Sequence, residues 1–243
     1  MAIRILRRLA ASKAGPPLRA ARRTLKPELR RDHRDNQHLR LLLSFALPED
    51  ANCIDVGSHL GDVLEEMLRV APLGRHIAYE PLPDLHAELV ERFPTVDVRA
   101  AALSNEAGTA TFTHVRTRPG YSGFRERPYP AAEETETITV RVESLDEALP
   151  DGYVPFLIKI DVEGAEQQVL EGAMTTLSTH RPTVVFEHGI AARSYGTKST
   201  TVFDLFADAG LRIFDLEGDG PYSRGQFAEA CERGRYWNFV AHA

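Results

Sequence analysis

The chain has only two cysteines and one tryptophan in 243 residues, and no apolar stretch long enough to cross a bilayer. Cys53 and Cys231 are widely separated, which argues against a disulfide scaffold or a thiolate-rich metal site and makes a reducing cytoplasm the expected compartment. No run approaches about 18 apolar residues and the first residues lack an apolar signal core, so neither a spanning helix nor a secretory leader is expected. The phosphate-cradling pattern G-x-G-x-x-G is missing as well, which weighs against a dinucleotide site. What remains is a globular composition, 43% hydrophobic and 26% charged. It suffices for one sizeable core with an N-terminal extension.

The net charge of −6 hides an asymmetry: residues 1–31 carry +9 and the remainder −15. We place a basic helical arm at residues 1–35 and one domain at 36–243, with an insertion at 105–142. Within the arm, Ile3, Leu6 and Ala10, then Leu18, Ala21, Leu25 and Leu29, recur at helical spacing around Gly15, Pro16 and Pro17. That spacing predicts two short amphipathic helices. Such an arm packs on its own body or a second subunit, or lies on an anionic membrane surface, giving peripheral membrane attachment or self-association. An Arg-rich, acid-poor start also fits a transit peptide, although serine is scarce. Nucleic acid is not an expected partner, because the acidic body repels phosphates.

After a helical stretch from Asn36 to Leu47, strand and helix signals alternate. Strands are expected at 52–57, 75–80 and 96–102, with helices at 60–71 and 83–93. A strand-rich interruption follows, Thr109–Val115 and Thr137–Val142 around a loop, placed at the sheet edge or over a pocket mouth. The alternation resumes with a strand at Pro155–Asp161, a helix at Gly164–Leu177 and a strand at Thr183–His188. It closes with a helix at Thr200–Ala209 and strands at Leu211–Leu216 and Tyr236–Ala241. The fold class is α/β: a doubly wound, mostly parallel sheet of about seven strands with an inserted β-hairpin.

In such sheets ligands bind beyond the carboxyl ends of the strands. The first strand runs into Asp55, Val56, Gly57, Ser58, His59, Leu60 and Gly61, a strand, a glycine turn and a helix start. Gly57 can take a positive φ and lacks the Cβ that would hold the backbone away from a ligand, and Gly61 lets the next helix pack on the strand. Glu80 ends the second strand 19 residues after Gly61, where an acid can accept hydrogen bonds from two ribose hydroxyls. Together they favour a ribose-bearing cofactor without a pyrophosphate, and S-adenosylmethionine fits. Its carboxylate has free N–H groups of the turn or helix start to use. Asp55, Gly57, Ser58, His59, Gly61, Glu80 and the backbone at Ala102 are the candidate cofactor-binding residues.

Asp161 closes the strand Phe156–Ile160, which carries Lys159 inside its apolar run. Asp161 faces the crevice or caps the next helix, and Glu163 and Glu166 face it or complement the helix dipole. Glu187 and His188 close the next strand. His188 is placed as a general base for a hydroxyl, or is a structural histidine. Asp161 and Glu187 end adjacent strands, which allows a divalent cation such as Mg2+ held by carboxylates and water. The inserted loop offers Arg116, Arg118, Tyr121, Ser122, Phe124, Arg125, Arg127 and Tyr129, a set suited to a sugar or phosphate-bearing acceptor, or simply a solvated loop.

Asp55-Val56-Gly57 with Gly61; Tyr79-Glu80-Pro81; Ala102-Leu103-Ser104 with Gly108; Val142 to Asp146; and above all Lys159 to Glu166 with Leu170, Gly172 and Ala173 resemble the FkbM-type S-adenosylmethionine-dependent methyltransferases. The family commonly has Ala and Asn after the first glycine, where this chain has Ser58 and His59. The resemblance implies a Rossmann-like class I methyltransferase fold with an antiparallel last strand. It also implies O-methylation of a hydroxyl on a sugar, glycan, glycolipid or natural-product scaffold. Asp161 would then orient the acceptor hydroxyl or bind a metal, and His188 would take the proton. A nicotinamide-dependent oxidoreductase and a non-catalytic cofactor-binding scaffold are the competing readings.

Overall fold

The computed structural model describes residues 27–243 except 128, 130, 235 and 236. The two predicted arm helices therefore lie outside the described residues. The described chain opens with α1 (Pro27–Ala46), one continuous helix across the expected arm boundary. The chain divides into two compact units, residues through Leu42 and residues from Leu43 to Ala243. The fold below is that of the second. Among the described residues no helix is long and apolar enough to cross a membrane.

Seven strands form the main sheet in the order β3-β2-β1-β7-β8-β10-β9. They are β1 (Cys53–Val56), β2 (Ile77–Tyr79), β3 (Asp97–Arg99), β7 (Leu157–Ile160), β8 (Thr183–Glu187), β9 (Arg212–Asp215) and β10 (Asn238–His242). All pairs are parallel except those of β10, which runs antiparallel to β8 and β9. β1 and β7 are buried along their whole length, as strands covered on both faces must be, hence their near-continuous apolar sequence. Helix α2 (Asp62–Val70) buries Leu64 and Met67, and α3 (Pro83–Arg92) starts on a proline at its first turn and buries Leu85 and Leu89. The chain proceeds outward from β1 through β2 to β3, then returns to place β7 on the other side of β1. The crevice above β1 and β7 is the switch point where doubly wound sheets hold ligands.

The predicted strand at 96–102 is two strands. β3 stays in the main sheet, whereas β4 (Ala101–Leu103) leaves it and pairs in parallel with β6 (Thr135–Glu143). β6 pairs in turn with β5 (Gly108–Val115) in an antiparallel hairpin, so the insertion is a separate three-stranded sheet, order β4-β6-β5. The reason is packing. The apolar side chains of Ala102, Phe112, Val140 and Val142 bury one another together with Leu82 and Leu85, a second core that one extended edge strand could not build.

The predicted helix at 164–177 is likewise two, α5 (Glu166–Glu171) and α6 (Met174–His180), after the short α4 (Leu145–Ala148). Gly172 separates them. Its carbonyl accepts bonds from the Asp146 N–H and the Ser144 hydroxyl, and a Cβ on it would sit 2.1 Å from the Ser104 carbonyl oxygen. After β8 come α7 (Ile190–Arg193), α8 (Ser199–Asp208) and α9 (Arg224–Glu232). α9 was not expected from the sequence, although Ser223 and Gln226 form the capping box that announces a helix start.

Gly172→Ala is expected to lower stability by about 1–3 kcal/mol, since the obstructing atom is backbone and cannot rotate away. Thermal melting should fall by about 2–10 °C; an unchanged melting temperature would show that the contact is slack.

Candidate active site

A cavity of about 180 Å3 opens above the carboxyl ends of β1, β2 and β7. Gly57, His59 and Glu80 line it from the first two strands, Asp161, Val162 and Glu163 from the turn after β7. Ala101, Ala102 and Leu103 of β4 form a wall, and Phe112, Gly120 and Phe124 of the insertion complete it.

The floor is set by charges on adjacent central strands. Asp55 and Lys159 are register partners on β1 and β7, both buried, and the Lys159 ammonium lies 3.0 Å from the Asp161 carboxylate. Burial would strip Lys159 of its proton, but the Asp161 and Asp55 charges outweigh it and raise its pKa above the ordinary value. Asp55 is pushed up to about 6 by burial, against the pull of Lys159. Its side chain sits beneath the site and does not line the cavity, a correction to its expected contact with a cofactor. Asp161 does line it, with its side chain 34% exposed.

The glycine turn is built differently from its expected role. Gly57 adopts φ 79°, and a Cβ there would lie 2.0 Å from the Asp161 carbonyl oxygen. What approaches Gly57 is the turn after β7. Gly61, at φ 74°, makes room for the side chains of Phe93 and Leu89, which a Cβ would meet at 2.5–2.7 Å. The turn amides are already engaged: Gly57 and Ser58 N–H both donate to the Tyr79 carbonyl, and Gly61 N–H to Ser58. His59 N–H donates to Glu80 Oε2 at 2.8 Å. The N–H groups of Gly57, Ser58, His59 and Gly61 are therefore not free for a cofactor carboxylate, which leaves the helix start of the two places expected. Ser58 turns its hydroxyl back onto the Asp55 carbonyl at 2.9 Å, away from the cavity. His59, at φ 49°, points its ring toward Gly120 of the insertion.

Glu80 is where the sequence predicts it. Its second oxygen accepts from Leu82 N–H at 2.9 Å, so one buried carboxyl ties the glycine turn to the turn after β2. Each oxygen keeps a further lone pair, two in all. Burial pushes this carboxyl up to about 7, against the two backbone hydrogen bonds.

Glu163, for which the sequence left open the crevice or the helix dipole, is a cavity residue. It sits at φ 56°, is paired with Arg127 of the insertion, and is pushed up to about 8 by burial and the nearby Asp161 charge. No sequence signal distinguished it from Glu166. Arg127 also lies over the Tyr121 ring, and Arg125 donates to the Ser194 carbonyl and stacks on Tyr195. The other two loop arginines are spent within the hairpin, Arg116 on Glu136 and Arg118 on Glu133. The loop is thus pinned at its tip.

Two expected residues stand elsewhere. His188 is 1% exposed, bonds to Ser199, stacks on Phe227 and lines a different cavity. It is therefore not placed to take a proton beside Gly57. Strand position set its backbone, but α8 and α9 close around its ring. Glu187 also lies off the cavity lining, and its carboxyl is held well above the ordinary range by burial and by Asp161, Glu163 and Glu166. Lys159 already pairs with Asp161 at 3.0 Å. Among the described residues, no group of three or more His, Cys, Asp or Glu is arranged to hold a metal.

A family model described as the methyltransferase FkbM domain matches residues 55–211, from within the first strand to the residue before β9. The chain belongs to the FkbM methyltransferase family. The FkbM domain here is 28% identical to the methyltransferase sdnD of Sordaria araneosa, over 52% of this chain and 61% of that one. A second relative is the AMB antimetabolite synthetase AmbE of Pseudomonas aeruginosa, 37% identical over 33% of this chain and 4% of that one. The crystal structure of methyltransferase FkbM from Methylobacillus flagellatus superposes with a TM-score of 0.51 at 17% identity, covering 84% of this chain and 48% of that one. It shares the FkbM fold. The chain thus spans less than two thirds of the length of each.

Glu80, Asp55 and Glu163 all hold their protons more tightly in the folded than in the unfolded chain. Folding is therefore favoured below their ordinary pKa, and this contribution is lost as pH rises through their folded values. The melting temperature of the ligand-free protein should fall from about pH 5 to about pH 8, and Glu80→Gln should flatten the slope up to about pH 7. Parallel profiles for the two proteins would contradict the assignment.

Proposed function

We propose that the protein is an S-adenosylmethionine-dependent O-methyltransferase acting on a hydroxyl of a sugar, a glycan or glycolipid, or a natural-product scaffold. The observation that carries this reading is the cavity's polar lining. Its acidic groups are Glu80, Asp161 and Glu163, beside His59 and Ser122, while the amides of Gly57, Ser58, His59 and Gly61 are already engaged. A pyrophosphate would find few of the donors it needs there, which disfavours a nicotinamide dinucleotide. A cationic ribose-bearing cofactor fits. The two remaining lone pairs of Glu80 suit paired ribose hydroxyls, and the apolar wall of Ala101, Ala102, Leu103 and Phe112 suits a base edge.

Once bound, that cofactor supplies an activated methyl on a sulfonium. The chain must then hold the acceptor oxygen in line with the methyl and take its proton. We assign these tasks to Asp161 and Glu163. Asp161, held by Lys159, orients the acceptor hydroxyl. Glu163, with a pKa near working pH, accepts its proton, and Arg127 steadies the carboxylate. This places the base at Glu163 in preference to His188. Phe112 and Phe124 of the insertion, both lining the cavity, give the acceptor side an apolar face for a ring.

Calorimetric titration should find S-adenosylmethionine binding and no NAD(P) binding, with Glu80→Ala weakening the former at least about tenfold. Glu163→Gln should slow methyl transfer by about 100-fold or more and leave cofactor affinity within a few fold. An unaltered rate would move the base to Asp161. Tight cofactor binding without methylation across a panel of sugars, glycolipids and hydroxylated scaffolds would favour a non-catalytic scaffold.

A further inference from the structure

The buried histidine that misses the methyl-transfer cavity has partners of its own. His188 Nε2 lies 3.0 Å from the Ser199 hydroxyl, and His188 Nδ1 lies 3.9 Å from Glu166 Oε2. Both Nδ1 and Oε2 are buried without a hydrogen-bond partner. At 3.9 Å the gap is too narrow to admit a water and only about 1 Å longer than a bond, so a small rotation closes it. Glu166 is anchored by its other oxygen, which accepts from Gly164 N–H at 2.8 Å, and the His188 ring is steadied by Phe227 at 5.8 Å. Ser199 is only partly buried, and it lines a second cavity of about 360 Å3 together with His188, Arg193, Lys198 and Cys231.

We propose that Ser199, His188 and Glu166 form a nucleophile, base and orienting acid that act on small acyl esters bearing a negative charge, separately from methyl transfer. Glu166 accepting from Nδ1–H fixes the tautomer in which Nε2 takes the Ser199 proton, the logic of serine hydrolases. Ser199 Oγ bonds to the acyl carbon while its proton passes to Nε2. The ester C–O bond then breaks, and the departing alkoxide takes that proton. Water, deprotonated by the same nitrogen, releases the acid and restores the serine. Ser199 opens helix α8, whose first N–H groups have no intrahelical partner and can face the oxyanion. Arg193 and Lys198 at the rim, against the single acid Glu232, account for the preference for an anionic ester. Cys231 is no rival nucleophile. Its thiol is pushed up to about 12 by burial and stays protonated.

The test uses the full chain and a fluorophosphonate that traps activated serines, with the modified peptide located by mass spectrometry. One phosphonyl group is expected on Ser199, absent in Ser199→Ala and formed at least about 100-fold more slowly in His188→Gln. Because His188→Gln removes a buried ring, Glu166→Gln is measured beside it. It keeps the bond from Gly164 and should slow labelling about tenfold. Ser199→Ala should leave S-adenosylmethionine binding unchanged. An unlabelled Ser199 in the folded protein, or labelling at the same rate in Glu166→Gln, overturns the proposal.

Discussion

A buried ammonium holds the candidate site in place. Lys159 stands on a central strand among residues that are otherwise apolar, with Asp55 across the ladder and Asp161 two residues ahead. Burying charges is costly unless each is compensated, and here one cation serves the buried Asp55 and the partly exposed Asp161. The arrangement fixes where β7 ends and how its following turn leaves the sheet. That turn brings the Asp161 carbonyl against Gly57, so the glycine is the complement of a charge network on the neighbouring strand. The glycine turn and the Asp161 turn are consequently two sides of one contact.

Around that contact the cavity draws on two sheets. The main sheet supplies every carboxylate and the three-stranded sheet supplies most of the apolar wall. The break after Arg99 makes this division possible. Arg99 binds the Tyr79 hydroxyl, the Ala148 carbonyl and Asp97, ending the edge strand firmly, and Ala101, Ala102 and Leu103 swing away to face the cavity. A straight, unbroken strand would have left Ala102 in the main sheet and the cavity without that wall.

Much of this was legible from residue order. The alternation of strands and helices, the glycine turn and Glu80 at its strand end follow from periodicity and from the rule that ligands sit beyond strand carboxyl ends. What escaped has a common cause. That rule locates a stretch of backbone but not the direction of its side chain, so His188 and Asp161 looked equivalent although one is enclosed by α8 and α9 and the other opens on the cavity. Glu163 looked like helix decoration because its value lies in a positive-φ turn and a partner 36 residues upstream. The arginines of the insertion looked free because the hairpin acids that hold Arg116 and Arg118 are brought near only by strand pairing. The split of the strand at Ala100 was decided by a second core built from residues far along the chain.

The insertion is fastened to the main sheet at two places: Arg127 reaches Glu163 after β7, and the Arg125 N–H donates to the Tyr195 hydroxyl after β8. Gly164 lets those two main-sheet loops touch, since a Cβ there would meet Ala191 and Tyr195 at 2.7–2.8 Å. Hairpin, post-β7 turn and post-β8 segment therefore close a ring around the mouth of the cavity. A hairpin grafted from another protein would arrive without its anchors unless suitable residues stood at 163, 164 and 195.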